Sequence, residues 1–204
     1  MISTTMSLAQ AMVRESPDAV DIFRIRRVAP KRPSFDSIAQ VEKALAAAPP
    51  GDPSVAGQAR WLIDHIVERY HRTHLAEFPE AIRLARLVES VHEADADCPR
   101  GLADHLAFMA DDLECHQRRE EVALFPMLLK GGGPVADFPI RRMMAEHLDV
   151  QDQLTTLAAI TRDFSAPEGA CETWRQLCRA CRKLHHELGD HMRLENDVLF
   201  PYFL

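Results

Sequence analysis

The chain has 204 residues and a formal net charge of −7, with no basic run tracking along a helical face, which argues against nucleic acid and anionic lipid as partners. No apolar run is long enough to span a bilayer, and the N-terminal MISTTMSLAQAMVRESPDA lacks the basic start and apolar block of a secretion signal. The five cysteines, an odd number in a chain large enough to bury a core without staples, fit reduced thiols and a cytoplasmic location.

Glycine is scarce, Ala, Leu, Glu and Arg are common, and β-branched runs are absent, so the chain reads as all-α. Two short helical patterns, SLAQAMVRESPDAVDIFRI and SFDSIAQVEKALAAA, predict a small helical head over residues 1–47, with the basic turn RRVAPKRP between them. The Pro/Gly-rich APPGDPSVAG predicts a linker over 48–57. From there to residue 204 the helices lengthen. QARWLIDHIVERYHRTHLAEF ends at Pro79, which should break or kink the helix. PEAIRLARLVESVHEA follows, then the loop DADCPRG. A helix over 101–130 ends at GGGP, another covers 138–163, and a last one covers 168–200. The expected architecture is an antiparallel four-helix bundle with a small N-terminal helical segment.

One spelling occurs twice: CHQRREEVALFP at 115–126 and DHMRLENDVLFP at 190–201. In each copy a His precedes a Glu by four residues, so His116 and Glu120 share a helical face, as do His191 and Glu195. A single such pair is usually a surface pair. Two copies, each with a further carboxylate one turn earlier (Asp112 and Glu187), suit two facing columns in a bundle core. There the glutamates can bridge two metal ions and the outer carboxylates can hold the imidazole N–H groups. The trailing Leu-Phe-Pro would pack the bundle end and stop or bend the helix.

Two His and two Glu cannot fill two ions, so further ligands are needed. His71, His92 and His147 are candidates, one on each remaining helical segment, in competition with His65, His74, His105, His185 and His186. His71 and His92 lie about 31 Å apart on a straight helix, so they share a site only if Phe78-Pro79 breaks it.

With RYHRTH, SVHEA, AEHLD and the two LFP tails, the spacing of His71, His92, His116, Glu120, His147, His191 and Glu195 resembles the hemerythrin-like di-iron domain. It is most similar to the repair-of-iron-centres proteins, the regulators of cell morphogenesis and NO signalling. The resemblance covers roughly residues 58–203. It implies that these seven residues ligate two Fe ions with a bridging oxide or hydroxide, with Asp112 and Glu146 as outer acidic residues. It further implies a four-helix bundle, a cytoplasmic location, and work under nitrosative or oxidative stress.

Five imidazoles, two bridging carboxylates and the bridging oxygen would fill all but one position around two six-coordinate ions. A diatomic such as NO or O2 fits that opening. Oxygen-activating di-iron enzymes use more carboxylates, so an imidazole-rich set favours binding or mild reduction of a diatomic. Zinc prefers a closed four-coordinate site. The expected function is therefore a non-haem di-iron protein that binds, and can reduce, nitric oxide and protects or repairs iron centres. Its partners would be an electron donor or iron-sulfur proteins. The alternative is an O2 or iron sensor or carrier without turnover.

The sequence departs from the family in one place: Lys31-Arg32-Pro33-Ser34 stands where relatives carry a Cys-Cys-Gly-Gly turn, which puts thiol-based electron or iron transfer in doubt. Cys171, Cys178 and Cys181 fall near one face of the last helix and read as buried small hydrophobes. Cys115 should point away from the ligand face. Trp61, Phe108, Phe164 and Trp174 read as core.

Overall fold

A computed structural model describes residues 37–204. The first helical pattern of the head and the Lys31-Arg32-Pro33-Ser34 turn lie outside the described residues.

Helix α1, Ile38–Ala47, carries Val41 and Leu45 one turn apart and buries both. An ion pair from Arg193 to Glu42, 2.7 Å, joins it to the last helix. The Pro/Gly stretch that follows is fastened to Tyr202. Asp52 accepts the Ser54 N–H at 2.8 Å to start a short 3-10 turn, the Tyr202 hydroxyl donates to the Asp52 carbonyl at 2.7 Å, and the Gly51 N–H reaches the Tyr202 carbonyl at 2.7 Å.

Four long helices form the bundle. Helix α2 runs over Ala56–Ile66, widens into a π turn at Val67–His71, and resumes over Arg72–Val91. Helix α3 covers Leu102–Arg119, a π turn at Glu120–Leu124, and Phe125–Leu128. Helix α4, Asp137–Ile160, is regular throughout. Helix α5 covers Glu172–Leu194, a π turn at Glu195–Leu199, and Phe200–Phe203. Each of α2 and α4 packs against both α3 and α5, so chain neighbours are spatial neighbours in an all-α antiparallel bundle. Among the described residues no helix is long and apolar enough to cross a membrane.

None of the three prolines ends its helix. Pro79 lies inside α2 without breaking it, and Pro126 and Pro201 each sit in a further helical turn rather than ending the helix. A helical proline deprives the carbonyl four residues back of its donor. At Pro79 that residue is Leu75, and both are exposed, so water can satisfy the orphaned carbonyl. At Pro126 and Pro201 the ladder has already been loosened by the π turn just before.

Two apolar clusters fill the bundle, one above and one below a polar layer. One contains Leu62, Ile66, Leu124, Phe125, Ile140, Leu199 and Phe200, and α1 adds Val41 and Leu45 to it. The other contains Phe78, Leu84, Leu106, Leu113, Leu154, Trp174 and Leu184. Along every bundle helix the buried histidines or glutamates fall between the two sets. Phe108, expected in the core, is instead 60% exposed.

Candidate metal centre

The polar layer is built by α2, α3, α4 and α5 from His71, His116, Glu120, His147, His191 and Glu195, all at most 3% exposed. Their ligand atoms form two overlapping quartets: His71, Glu120, His191 and Glu195, and His116, Glu120, His147 and Glu195, each with its atoms within 4.8 Å of one another. The glutamates belong to both. Glu120 places Oε2 3.5 Å from His71 Nε2 and Oε1 3.3 Å from His116 Nε2. Glu195 places Oε1 3.2 Å from His191 Nε2 and Oε2 3.3 Å from His147 Nε2. The imidazoles face one another in pairs, Nε2 to Nε2: His71 and His191 at 3.1 Å, His116 and His147 at 3.0 Å.

Three of the four rings are oriented through Nδ1. His71 Nδ1 meets Glu121 Oε1 at 2.9 Å, His116 Nδ1 meets Glu146 Oε2 at 3.0 Å, and His147 Nδ1 meets Asn196 Oδ1 at 2.8 Å. An oxygen acceptor at Nδ1 places the proton there and leaves the Nε2 lone pair turned into the layer. The Glu146 carboxylate is itself held by Arg119 Nη2 at 2.7 Å and Arg142 Nε at 3.1 Å.

The repeated spelling now has a structural meaning. Each copy furnishes an imidazole, a shared glutamate opening a π turn, and two contacts to the histidine of another helix. Glu121 holds His71, and Phe125 stacks on its ring at 5.9 Å. At the equivalent positions of the second copy, Asn196 holds His147 and Phe200 stacks on it at 6.1 Å. Each copy supplies one imidazole and one shared glutamate, and His71 and His147 come from the other two helices. The π turns matter locally, because the extra residue in the turn re-aims the side chains beside the shared glutamates.

Charge in the layer is strongly felt. Burial disfavours the charged carboxylate of Glu195, yet His191 and His147 hold its pKa well below the usual range. Burial also opposes the imidazolium of His116, but Glu120, Glu195 and Glu146 outweigh it and raise its pKa to about 9. His147 is raised for the same reason, burial being overcome chiefly by Glu195. A carboxylate as deep as Glu195 keeps its negative charge by drawing positive charge toward it, and that suits a cation site.

His92 is not brought to this layer. Because α2 stays helical through Pro79, His92 caps its far end about 30 Å from His71. There it meets Asp95 and Cys171. Asp112 and Glu187 also have other partners than the imidazoles one turn on. Asp112 accepts from Gln153 at 2.8 Å, and Glu187 pairs with Arg69 at 2.5 Å and Lys183 at 3.0 Å. Once Nε2 points inward, the Nδ1 of His116 faces α4, where Glu146 waits, and not the previous turn of its own helix.

The sequence did not single out Glu121 or Asn196, and it named His74 only as a competitor. Glu121 and Asn196 directly follow the shared glutamates at matching positions of the two copies, and that coincidence was the available signal. His74 is fully buried, with Nε2 unpartnered and Gln117 Nε2 3.4 Å from Nδ1. Its ring lies 5.6 Å from that of His191. Burial and the neighbouring His191 lower its pKa to about 2, so it stays neutral. His65 stacks on Trp61, His105 bonds the Gln153 carbonyl, and His185 packs on Phe164, all away from the quartets.

The description "Hemerythrin HHE cation binding domain" matches residues 62–203. The iron-sulfur cluster repair protein YtfE of Dickeya chrysanthemi (strain Ech1591) is 43% identical over 140 residues, which is 69% of this chain and 63% of that protein. The proteins of the same name from Yersinia pestis (strain Pestoides F) and Yersinia pseudotuberculosis serotype O:1b (strain IP 31758) are each 42% identical over 140 residues, with the same coverage. The matched region thus spans just under two thirds of the length of these relatives.

Proposed function

Because this chain belongs to the hemerythrin family of cation-binding domains, we propose that it holds two iron ions between His71, His116, His147, His191, Glu120 and Glu195. At that centre it binds nitric oxide, in the protection or repair of iron-sulfur centres. One observation carries the reading. All four carboxylate oxygens of Glu120 and Glu195 are buried without a hydrogen-bond partner, and each glutamate touches imidazoles of both quartets. A buried carboxylate left without countercharge costs several kcal/mol, on the order of 3–5 when a partner is removed, and two bound cations would supply that charge to both glutamates at once.

The donor set fits iron. Two nitrogens each about 2.1 Å from one ion and at right angles lie about 3.0 Å apart, which matches both imidazole pairs. Four imidazoles and four carboxylate oxygens are too few to close two six-coordinate ions. With His92 removed from the set, a bridging oxide or hydroxide would leave two positions for outside ligands rather than one. Iron held by these residues would supply a redox-active ion able to take a diatomic.

The residues divide the remaining work. Glu121, Glu146 and Asn196 fix the tautomer of His71, His116 and His147 and make each a stronger donor. Tyr70, Phe125 and Phe200 lie over His191, His71 and His147 and exclude water from the layer. Two carboxylates neutralise only part of the charge of two iron ions, so high oxidation states are poorly supported and binding or mild reduction of NO is favoured over O–O cleavage. The relatives' name, iron-sulfur cluster repair protein, supports iron-sulfur proteins as the recipients.

The test is iron analysis of protein expressed with iron, followed by anaerobic titration of the reduced protein with NO. Bound iron with a saturable NO spectrum is expected. Iron-free protein, or bound iron blind to NO, refutes the reading. A second reading, an O2 or iron sensor or carrier without turnover, is favoured by Lys31-Arg32 at the place of the family's thiol pair. Sustained NO consumption with a reductant separates the two.

A further inference from the structure

At the far end of the bundle His92 joins two other groups in a line. Its Nε2 lies 3.3 Å from Cys171 Sγ, and its Nδ1 lies 2.6 Å from Asp95 Oδ2. The two ring nitrogens point in opposite directions, so thiol and carboxylate sit on opposite edges of the imidazole and cannot share one ion. The arrangement is a proton relay rather than a chelate. With Asp95 accepting the Nδ1 proton, Nε2 carries a lone pair toward the thiol. The Trp174 ring packs on His92 at 4.8 Å and holds it in place.

Of the three cysteines read as one buried face, only Cys178 and Cys181 are buried; Cys171 precedes the first turn of α5 and is exposed. Its thiol pKa is lowered, first by the His92 hydrogen bond and then by the amides of Trp174 and Thr173. Burial instead raises that of Cys181 to about 12. Cys171 is exposed, so a small reactant that carries a weak bond and a good leaving group can reach it. Disulfides of small thiols have both.

We propose that Cys171, His92 and Asp95 form a second reactive centre, at which Cys171 exchanges with low-molecular-weight disulfides. The thiol proton passes to His92 Nε2, and the thiolate attacks one sulfur of the disulfide. The S–S bond breaks, and the departing thiolate takes the proton back from His92. Cys171 is oxidised to a mixed disulfide and the other half of the reagent is reduced to a free thiol, so no further oxidant is required.

The full chain, incubated with oxidised glutathione at pH 7, tests this by site-resolved mass spectrometry, with the exposed Cys115 as internal reference. Glutathione is expected first on Cys171, about three- to tenfold faster than on Cys115, because His92 accepts the Cys171 proton and the thiolate so formed outweighs the lower nucleophilicity of a more acidic thiol. His92→Gln should bring the Cys171 rate down to that of Cys115 and leave Cys115 unchanged, with helix content verified by circular dichroism. Asp95→Asn should lower it less. Faster labelling of Cys115, or an unchanged Cys171 rate in a folded His92→Gln protein, overturns the proposal.

Discussion

Helix α2 carries His71 near one end and His92 at the other, and the two ends of the bundle treat the same side chain in opposite ways. Around His71 three other imidazoles and two carboxylates are sealed between apolar clusters. Around His92 a single thiol and a single carboxylate sit at the surface. In the first setting buried negative charge has to be met by positive charge close by. In the second, water is close, and the same ring nitrogens serve as a proton relay. Burial, more than residue type, decides which chemistry a histidine is given.

The largest effects should come from the shared glutamates. Glu120→Ala or Glu195→Ala removes a carboxylate common to both quartets, so iron should fall from about two to at most about one per chain. Iron analysis of the purified variants measures this, and full iron in both would mean that neither glutamate bridges.

The contrast between the two ends is sharpened by a matched pair of variants. His71→Ala should lose iron, whereas His92→Gln should keep the full complement. Iron lost from His92→Gln would return that residue to the ligand set and erase the distinction drawn between the ends.

His74 probes the border of the buried layer. Outside both quartets and neutral, it should act by packing beside His191. His74→Ala is expected to retain iron but to cost about 2–4 kcal/mol in urea unfolding, as a cavity at a fully buried site does. Loss of half the iron would instead make it a fifth imidazole ligand.

The smallest effect is expected at Glu187. Burial raises its pKa, but Arg69 and Lys183 prevail and lower it overall. A depressed carboxylate pKa contributes stability that is present above the unfolded value, about 4.3, and is lost as pH falls through the folded value. Both basic partners are nearly half exposed, so screening limits the contribution to about 1 kcal/mol. Glu187→Gln should therefore keep its iron and lose roughly that much at pH 7. The difference from the parent chain should shrink below pH 4 in urea titrations at several pH values.

The all-α bundle was legible because hydrophobic periodicity and scarce glycine are local properties of the chain. The shared column of His116 with Glu120 and His191 with Glu195 was legible for the same reason: residues four apart on a helix meet whatever the rest of the fold does. His71 and His147 were readable as candidates, though nothing local ranked them above His74 or His105.

Tertiary structure decided the remainder, and in each case the deciding partner lies on another helix. His92 drops out because water can satisfy the carbonyl that Pro79 orphans, so α2 never breaks. Of the outer acidic residues expected, only Glu146 meets an Nδ1; Glu121 and Asn196 take the place of Asp112 and Glu187, because an imidazole aimed into the bundle turns its second nitrogen sideways to a neighbouring helix. Cys171 left its expected buried face because α5 begins only after it, at a corner where the end of α2 comes within reach. Spacing along one helix sets which side chains share a face. Which groups meet across helices depends on where each helix starts, bends and ends, and those points are set by burial and solvation in the assembled bundle.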